Sequence, residues 1–126
     1  MGNYLDKLNP EQRKAVQHIN GPLMVIAGAG SGKTRVLTYR IVHLLKNNVS
    51  PFNILSLTFT NKAAKEMRNR IETMVGKNIA SSLWMGTFHS VFSRILRIES
   101  EKLNYPQNFT IYDTDDSKSL IRSIIK

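Results

Sequence analysis

One stretch constrains the fold of this chain more than any other: Ala27-Gly28-Ala29-Gly30-Ser31-Gly32-Lys33-Thr34. An apolar run, Leu23-Met24-Val25-Ile26-Ala27, leads into it. A segment from Thr34 to Lys46, with Leu37, Ile41, Leu44 and Leu45 at helical spacing, leads out. A glycine-rich loop between a buried strand and a helix is the setting in which a phosphate-loop match carries meaning. Small residues let successive backbone N–H groups curl around phosphate oxygens, and the N-terminus of the following helix adds partial positive charge. Gly30 and Gly32 tolerate the backbone angles of such a curl. Lys33 can reach β and γ phosphates and the Thr34 hydroxyl can take one position on Mg²⁺, which makes these two the catalytic candidates. Ala27 stands where the general pattern GxxxxGK[ST] has glycine, and alanine is still small. The competing reading is a glycine-rich turn before a helix with an exposed lysine.

The same strand-loop-helix order recurs along the chain. Asn9-Pro10-Glu11-Gln12 combines a capping residue, proline at the first helical position and glutamine at the capping-box position, which predicts a short helix to about Ile19. Gly21-Pro22 then breaks the chain. Ile54 to Phe59 reads as a second strand, and Asn61 is expected to cap a helix whose apolar face is Ala64, Met67, Ile71, Met74 and Val75, stopped by Gly76. Leu83-Trp84-Met85 leads into a helix bearing Phe92, Ile95, Leu96 and Ile98, and Phe109 to Tyr112 leads into Leu120 to Ile125. Asn78 to Ser82 and Asn104 to Asn108 read as surface loops. Alternation of this kind predicts an α/β fold, a parallel sheet flanked by helices. With 126 residues the chain suits one modest core.

Charge narrows the class of partner. Lys and Arg number 18 against 9 Asp and Glu, giving +9, which favours a polyanion. Up to residue 63 there are 8 basic and 2 acidic residues, and after it 10 and 7, so the excess is +6 and then +3. The bland alternative is a solvated basic surface. Absence of cysteine excludes disulfides and thiolate metal sites, and with 3 histidines no metal-ligand set is proposed. No apolar run approaches a membrane span and no basic-then-apolar signal opens the chain, so a soluble cytoplasmic protein without membrane contact is expected.

Four segments, in order, resemble the UvrD/Rep/PcrA family of superfamily 1 DNA helicases. Leu8-Asn9-Pro10-Glu11-Gln12-Arg13 is similar to the Q motif, Ala27 to Thr34 to motif I, Leu57 to Ala64 to motif Ia, and Gly86-Thr87-Phe88-His89-Ser90 to motif Ib. The resemblance implies a partial RecA-like P-loop NTPase domain over residues 1–112 and the start of an inserted helical subdomain over 113–126. It implies ATP with Mg²⁺ held by Ala27 to Thr34, an adenine contact from Gln12, and Arg13 and Arg35 near the nucleotide. A side-chain amide suits an adenine edge because it both donates and accepts, although Gln12 also reads as a helix cap, and both arginines also read as solvated surface. Single-stranded DNA is the implied partner, with Thr58, Phe59, Thr60, Asn61, Thr87 and His89 as candidate contacts. An aromatic at a strand end can stack an unpaired base, and a helix N-terminus can hold phosphate. The other reading makes Phe59 core, Asn61 a cap and His89 structural.

ATP hydrolysis needs a second acidic motif at a strand end, and no Asp-Glu dipeptide exists here. Asp113 ends an apolar run, but Thr114 follows, and Asp113 with Asp116 reads as a helix N-terminus. By the resemblance, motifs II to VI and the remaining helicase domains lie beyond Lys126, so the chain alone is expected to be inactive. Ile124-Ile125-Lys126 stops inside an apolar helical pattern, as expected of a piece cut from a longer protein. Two other classes stay open: a small P-loop kinase or nucleotidase, and a non-catalytic nucleic-acid-binding module.

Overall fold

The computed structural model describes residues 3–125, so Lys126, the last residue of the expected subdomain, lies outside them. Contacts divide the chain into two units, with Val91 closing the first and Phe92 opening the second.

In the first unit a 3₁₀ turn, Tyr4–Lys7, precedes α1 (Pro10–Gln17). The expected capping box is present: the Gln12 backbone N–H donates to Asn9 Oδ1 at 2.9 Å, and the Asn9 backbone N–H donates to Gln12 Oε1 at 3.1 Å. The helix stops at Gln17, two residues before Ile19, because the Arg40 guanidinium donates to the carbonyls of Ala15 and His18 and so caps its end. Arg40 belongs to α2 (Lys33–Lys46). Val16 and Val36 bury against Leu5 and Leu8, and this small apolar cluster holds α1 to α2. The Tyr4 hydroxyl lies 2.5 Å from His43 Nδ1, and burial pushes the phenol above its ordinary pKa.

The larger cluster joins α2 to the strands. Ile41 and Val42 of α2 meet Ile54, Met67, Ile71, Ala80, Leu83 and Met85. The strands are β1 (Leu55–Thr58) and β2 (Trp84–Thr87), parallel and paired Leu55↔Trp84 through Thr58↔Thr87. Between them run α3 (Asn61–Val75) and α4 (Lys77–Ser81). Ala64, Met67 and Ile71 are buried at the three- and four-residue spacing of one helical face. Arg68 fastens the crossover by donating to the carbonyls of Ala80 at 3.1 Å and Met85 at 2.9 Å. The sheet is thus parallel as expected, but two-stranded among the described residues.

Several expectations need correction. Leu23 to Ala27 is not a strand: no neighbouring segment among the described residues offers it a ladder, and Met24 and Ile26 are 83% and 91% exposed. Phe109 to Tyr112 is also not a strand: no neighbouring segment among the described residues pairs with it, and the Arg97 guanidinium takes the Phe109 carbonyl at 3.0 Å and covers its ring. Asn61 is not the cap of α3. Thr60 is, accepting from the Ala63 N–H at 3.1 Å. Asn78 to Ser82, expected as a loop, is mostly α4, with Ala80 buried against the core. The Asn104–Asn108 stretch is turn and coil, as expected.

The division between units falls within α5 (Phe88–Ile98). The second unit continues through a 3₁₀ turn, Ser100–Leu103, to α6 (Thr114–Ile125). Asp113 Oδ1 accepts from the Asp116 N–H at 2.7 Å and Asp116 Oδ2 from the Asp113 N–H at 3.2 Å, a reciprocal cap that makes this pair the start of a helix.

Candidate functional site

Gly32 opens α2 in the left-handed region at φ 84°, and Gly30 adopts φ 74°. Both are conformations that side chains disfavour, which accounts for glycine at each. A Cβ at position 32 would lie 2.7 Å from Gln12 Nε2, so glycine there leaves the Gln12 side-chain amide its place beside the loop. Ser31 closes the preceding turn: its N–H and its hydroxyl both donate to the Gly28 carbonyl, at 3.3 and 2.5 Å. The first turn of α2 carries no side-chain cap and no acidic residue. Its orphan N–H groups and partial positive charge therefore stand at the loop, joined by the exposed Lys33. Thr34, the next residue, has its carbonyl taken by the Thr38 hydroxyl at 2.7 Å and is itself exposed.

Gln12 bridges cap and loop, since its Oε1 accepts from Asn9 and its Nε2 donates to the Ser31 carbonyl at 3.3 Å. The amide keeps one lone pair and one proton beyond these bonds. Gln12, Lys33 and Ser31 line one cleft of about 540 Å³, with Ala15, His18 and the Leu23 to Ala27 run among its other walls. That size suits a small-molecule ligand. Arg13 and Arg35 do not line it. The Arg13 guanidinium donates to the Leu5 carbonyl at 3.1 Å and sits 3.5 Å from Asp6, while Arg35 lines a separate groove with Arg70 and Thr73. Lys14 and His18 also line the cleft and were missed from sequence. The three-residue step from Gln12 to Ala15 along α1, carried on to His18 just past its end, is the signal that places the last on the same wall.

The second group of candidates gathers at the C-terminal ends of β1 and β2. Thr58 is buried, and its hydroxyl donates to the Thr60 carbonyl at 2.9 Å and the Gly86 carbonyl at 3.4 Å. Phe59 is 94% exposed and so is no core residue. Its ring centroid lies 5.9 Å from that of Phe88, a residue that sequence reasoning passed over although a Thr-Phe pair ends both strands. Asn61 and His89 are exposed in the first turns of α3 and α5. Thr87 Oγ1 accepts from the Ser90 N–H at 3.2 Å, so α5 is capped at its third residue as α3 is. Neither first turn holds an acidic residue. Two positive helix ends and two aromatic rings thus share one sheet edge, an arrangement able to take phosphate and a flat ring together.

Among the described residues no helix is long and apolar enough to cross a membrane. Residues 8–126 match the family model of the UvrD/REP helicase N-terminal domain. The whole chain is 52% identical to the ATP-dependent DNA helicase PcrA of Staphylococcus epidermidis and 50% identical to that of Staphylococcus aureus. It spans 17% of the length of each of these relatives.

Proposed function

This chain belongs to the UvrD/REP helicase N-terminal domain family, and from that premise we propose that it is the ATP-binding and single-stranded-DNA-contacting part of an ATP-dependent DNA helicase acting in the cytoplasm. Residues 1–112 are then part of a RecA-like P-loop domain, and 113–126 begin an inserted helical subdomain. The observation that carries the reading is the cleft shared by Gln12 and Lys33 beside the left-handed turns at Gly30 and Gly32. Those residues fit a nucleotide: Gly32 leaves the space a Cβ would fill, the uncapped α2 terminus suits anionic oxygens, and the Gln12 amide suits a base edge.

Ala27 to Lys33 would cradle the phosphates, with Lys33 as the point charge. Mg²⁺, when bound, neutralises phosphate oxygens, and Thr34 offers it a hydroxyl. Gln12 orients the adenine while still capping α1. At the C-terminal ends of β1 and β2, Thr60, Asn61, Thr87 and His89 hold the DNA backbone and Phe59 stacks a base. The acidic and arginine motifs that turn over ATP belong to the rest of the helicase, so this chain binds without hydrolysing.

Calorimetric titration with MgATP tests the assignment. Wild type is expected to bind, with steady-state turnover at background, and Lys33→Ala to lose about tenfold or more in affinity, as for removal of a charged hydrogen bond. Equal binding by the folded Lys33→Ala variant would refute it.

A further inference from the structure

We propose that Phe88 is a positioning residue that holds the Phe59 ring, so that the pair presents one stacking platform to an unpaired base of single-stranded DNA; this rests on the DNA-contact reading of Phe59 above. The pairing follows from strand register. Thr58 and Thr87 are partners as the last residues of β1 and β2, and the residue that follows each strand is phenylalanine. Neighbouring strands run about 4.8 Å apart, which brings those two residues side by side. The observed centroid separation of 5.9 Å with a 35° tilt is that of a ring pair in contact. No base fits between such rings, so a base stacks on the outer face of Phe59, which is the more exposed of the two at 94% against 45%.

Phe88 is the better anchored member. It is the first residue of α5, and the first turn of that helix is seated tightly on β2: a Cβ at Gly86 would lie 2.6 Å from Ser90 Oγ and 3.1 Å from Val91 Cγ2. The Thr87 cap fixes the same turn. Phe59, by contrast, sits in the short connection between β1 and α3, whose backbone is tied by the Thr58 hydroxyl to the Thr60 carbonyl at 2.9 Å while its own ring stays almost fully exposed. An exposed ring that must otherwise be ordered on binding gains affinity when a neighbour orders it beforehand. The occupant is taken to be a nucleic-acid base because the flanking helix starts carry Lys62 and His89 and no acid, on a chain of net charge +9.

The experiment is an anisotropy titration of the 126-residue chain with a short labelled oligothymidine and with an abasic strand of equal length, at several salt concentrations. Phe88→Ala is expected to weaken oligothymidine binding about fivefold, a part of the usual stacking contribution, with the salt slope and abasic affinity unchanged. Phe88→Tyr is expected to retain binding, and Phe59→Ala/Phe88→Ala to bind no more weakly than Phe59→Ala. Phe88→Leu replaces the alanine variant if thermal melting shows that alanine unfolds the chain, with the same loss expected. Wild-type affinity in Phe88→Ala beside a loss in Phe59→Ala, or losses that add, would overturn the positioning role while leaving Phe59 as a DNA contact. Equal binding of thymidine and abasic strands by wild type would overturn both readings and point to a protein partner on the rings.

Discussion

The run Leu23 to Ala27 and the strand β1 each precede a loop and a helix, yet only β1 is hydrogen-bonded into a sheet. Ile54, just before β1, is buried in the main cluster, and β1 pairs with β2 at every residue; Ile26 is almost fully exposed. A strand is a property of two segments, since its backbone groups are satisfied only by a neighbour. The two regions therefore hold their functional loops by different means. Phe59 and Thr60 are held from the strand side, through the sheet and the Thr58 hydroxyl. The phosphate loop is held from the helix side, by Val36 against Val16 and Leu8 and by Gln12 on the Ser31 carbonyl.

The contrast can be broken most forcefully in the core. Ile71→Ala removes a fully buried side chain and is expected to destabilise the chain by about 2–5 kcal/mol in urea unfolding, whereas Ile26→Ala should stay within about 0.5 kcal/mol. Comparable losses at both would mean that the Leu23 to Ala27 run is packed. Next in size is Gly32→Ala. Forcing a side chain into the left-handed region costs about 1–2 kcal/mol, and the new Cβ displaces the Gln12 side-chain amide from beside the loop, so nucleotide affinity should fall with it. Unchanged affinity in this variant would show that the helix-side anchoring is unimportant. Smallest is Gln12→Ala, expected to weaken ATP binding by about 1 kcal/mol. The intact chain should prefer ATP over GTP, because guanine reverses donor and acceptor at the edge read, and equal binding of the two would reduce Gln12 to a cap.

Helices were the most legible part of the sequence. The Asn9/Gln12 capping box, the Ala64-Met67-Ile71 face and the Gly76 stop are local signals, and all three stand in the structure. Strands were less legible because an apolar run does not say whether a neighbour pairs with it: Ile54 to Phe59 yielded β1, while Leu23 to Ala27 and Phe109 to Tyr112 did not yield strands. Of the candidate site, the chain order of the phosphate loop was readable, and the structure adds that Gln12 and Lys33 share a cleft. The contacts of Arg13 could not be read in advance, since Asp6 and the Leu5 carbonyl that it meets belong to a 3₁₀ turn with no periodic signal. Phe88 escaped notice because its contact with Phe59 spans 29 positions and depends on strand register, which the sequence does not print.

Amide chemical shifts of the isotope-labelled chain, followed during titration with MgATP, address the phosphate loop most directly. The loop assignment predicts that the N–H signals of Gly30, Gly32 and Lys33 move furthest in wild type, and that those of Gly30 and Gly32 need about tenfold or more MgATP to move as far in the folded Lys33→Ala variant. Shifts centred on other residues, or loop shifts that saturate at the same MgATP concentration without the lysine, would contradict it.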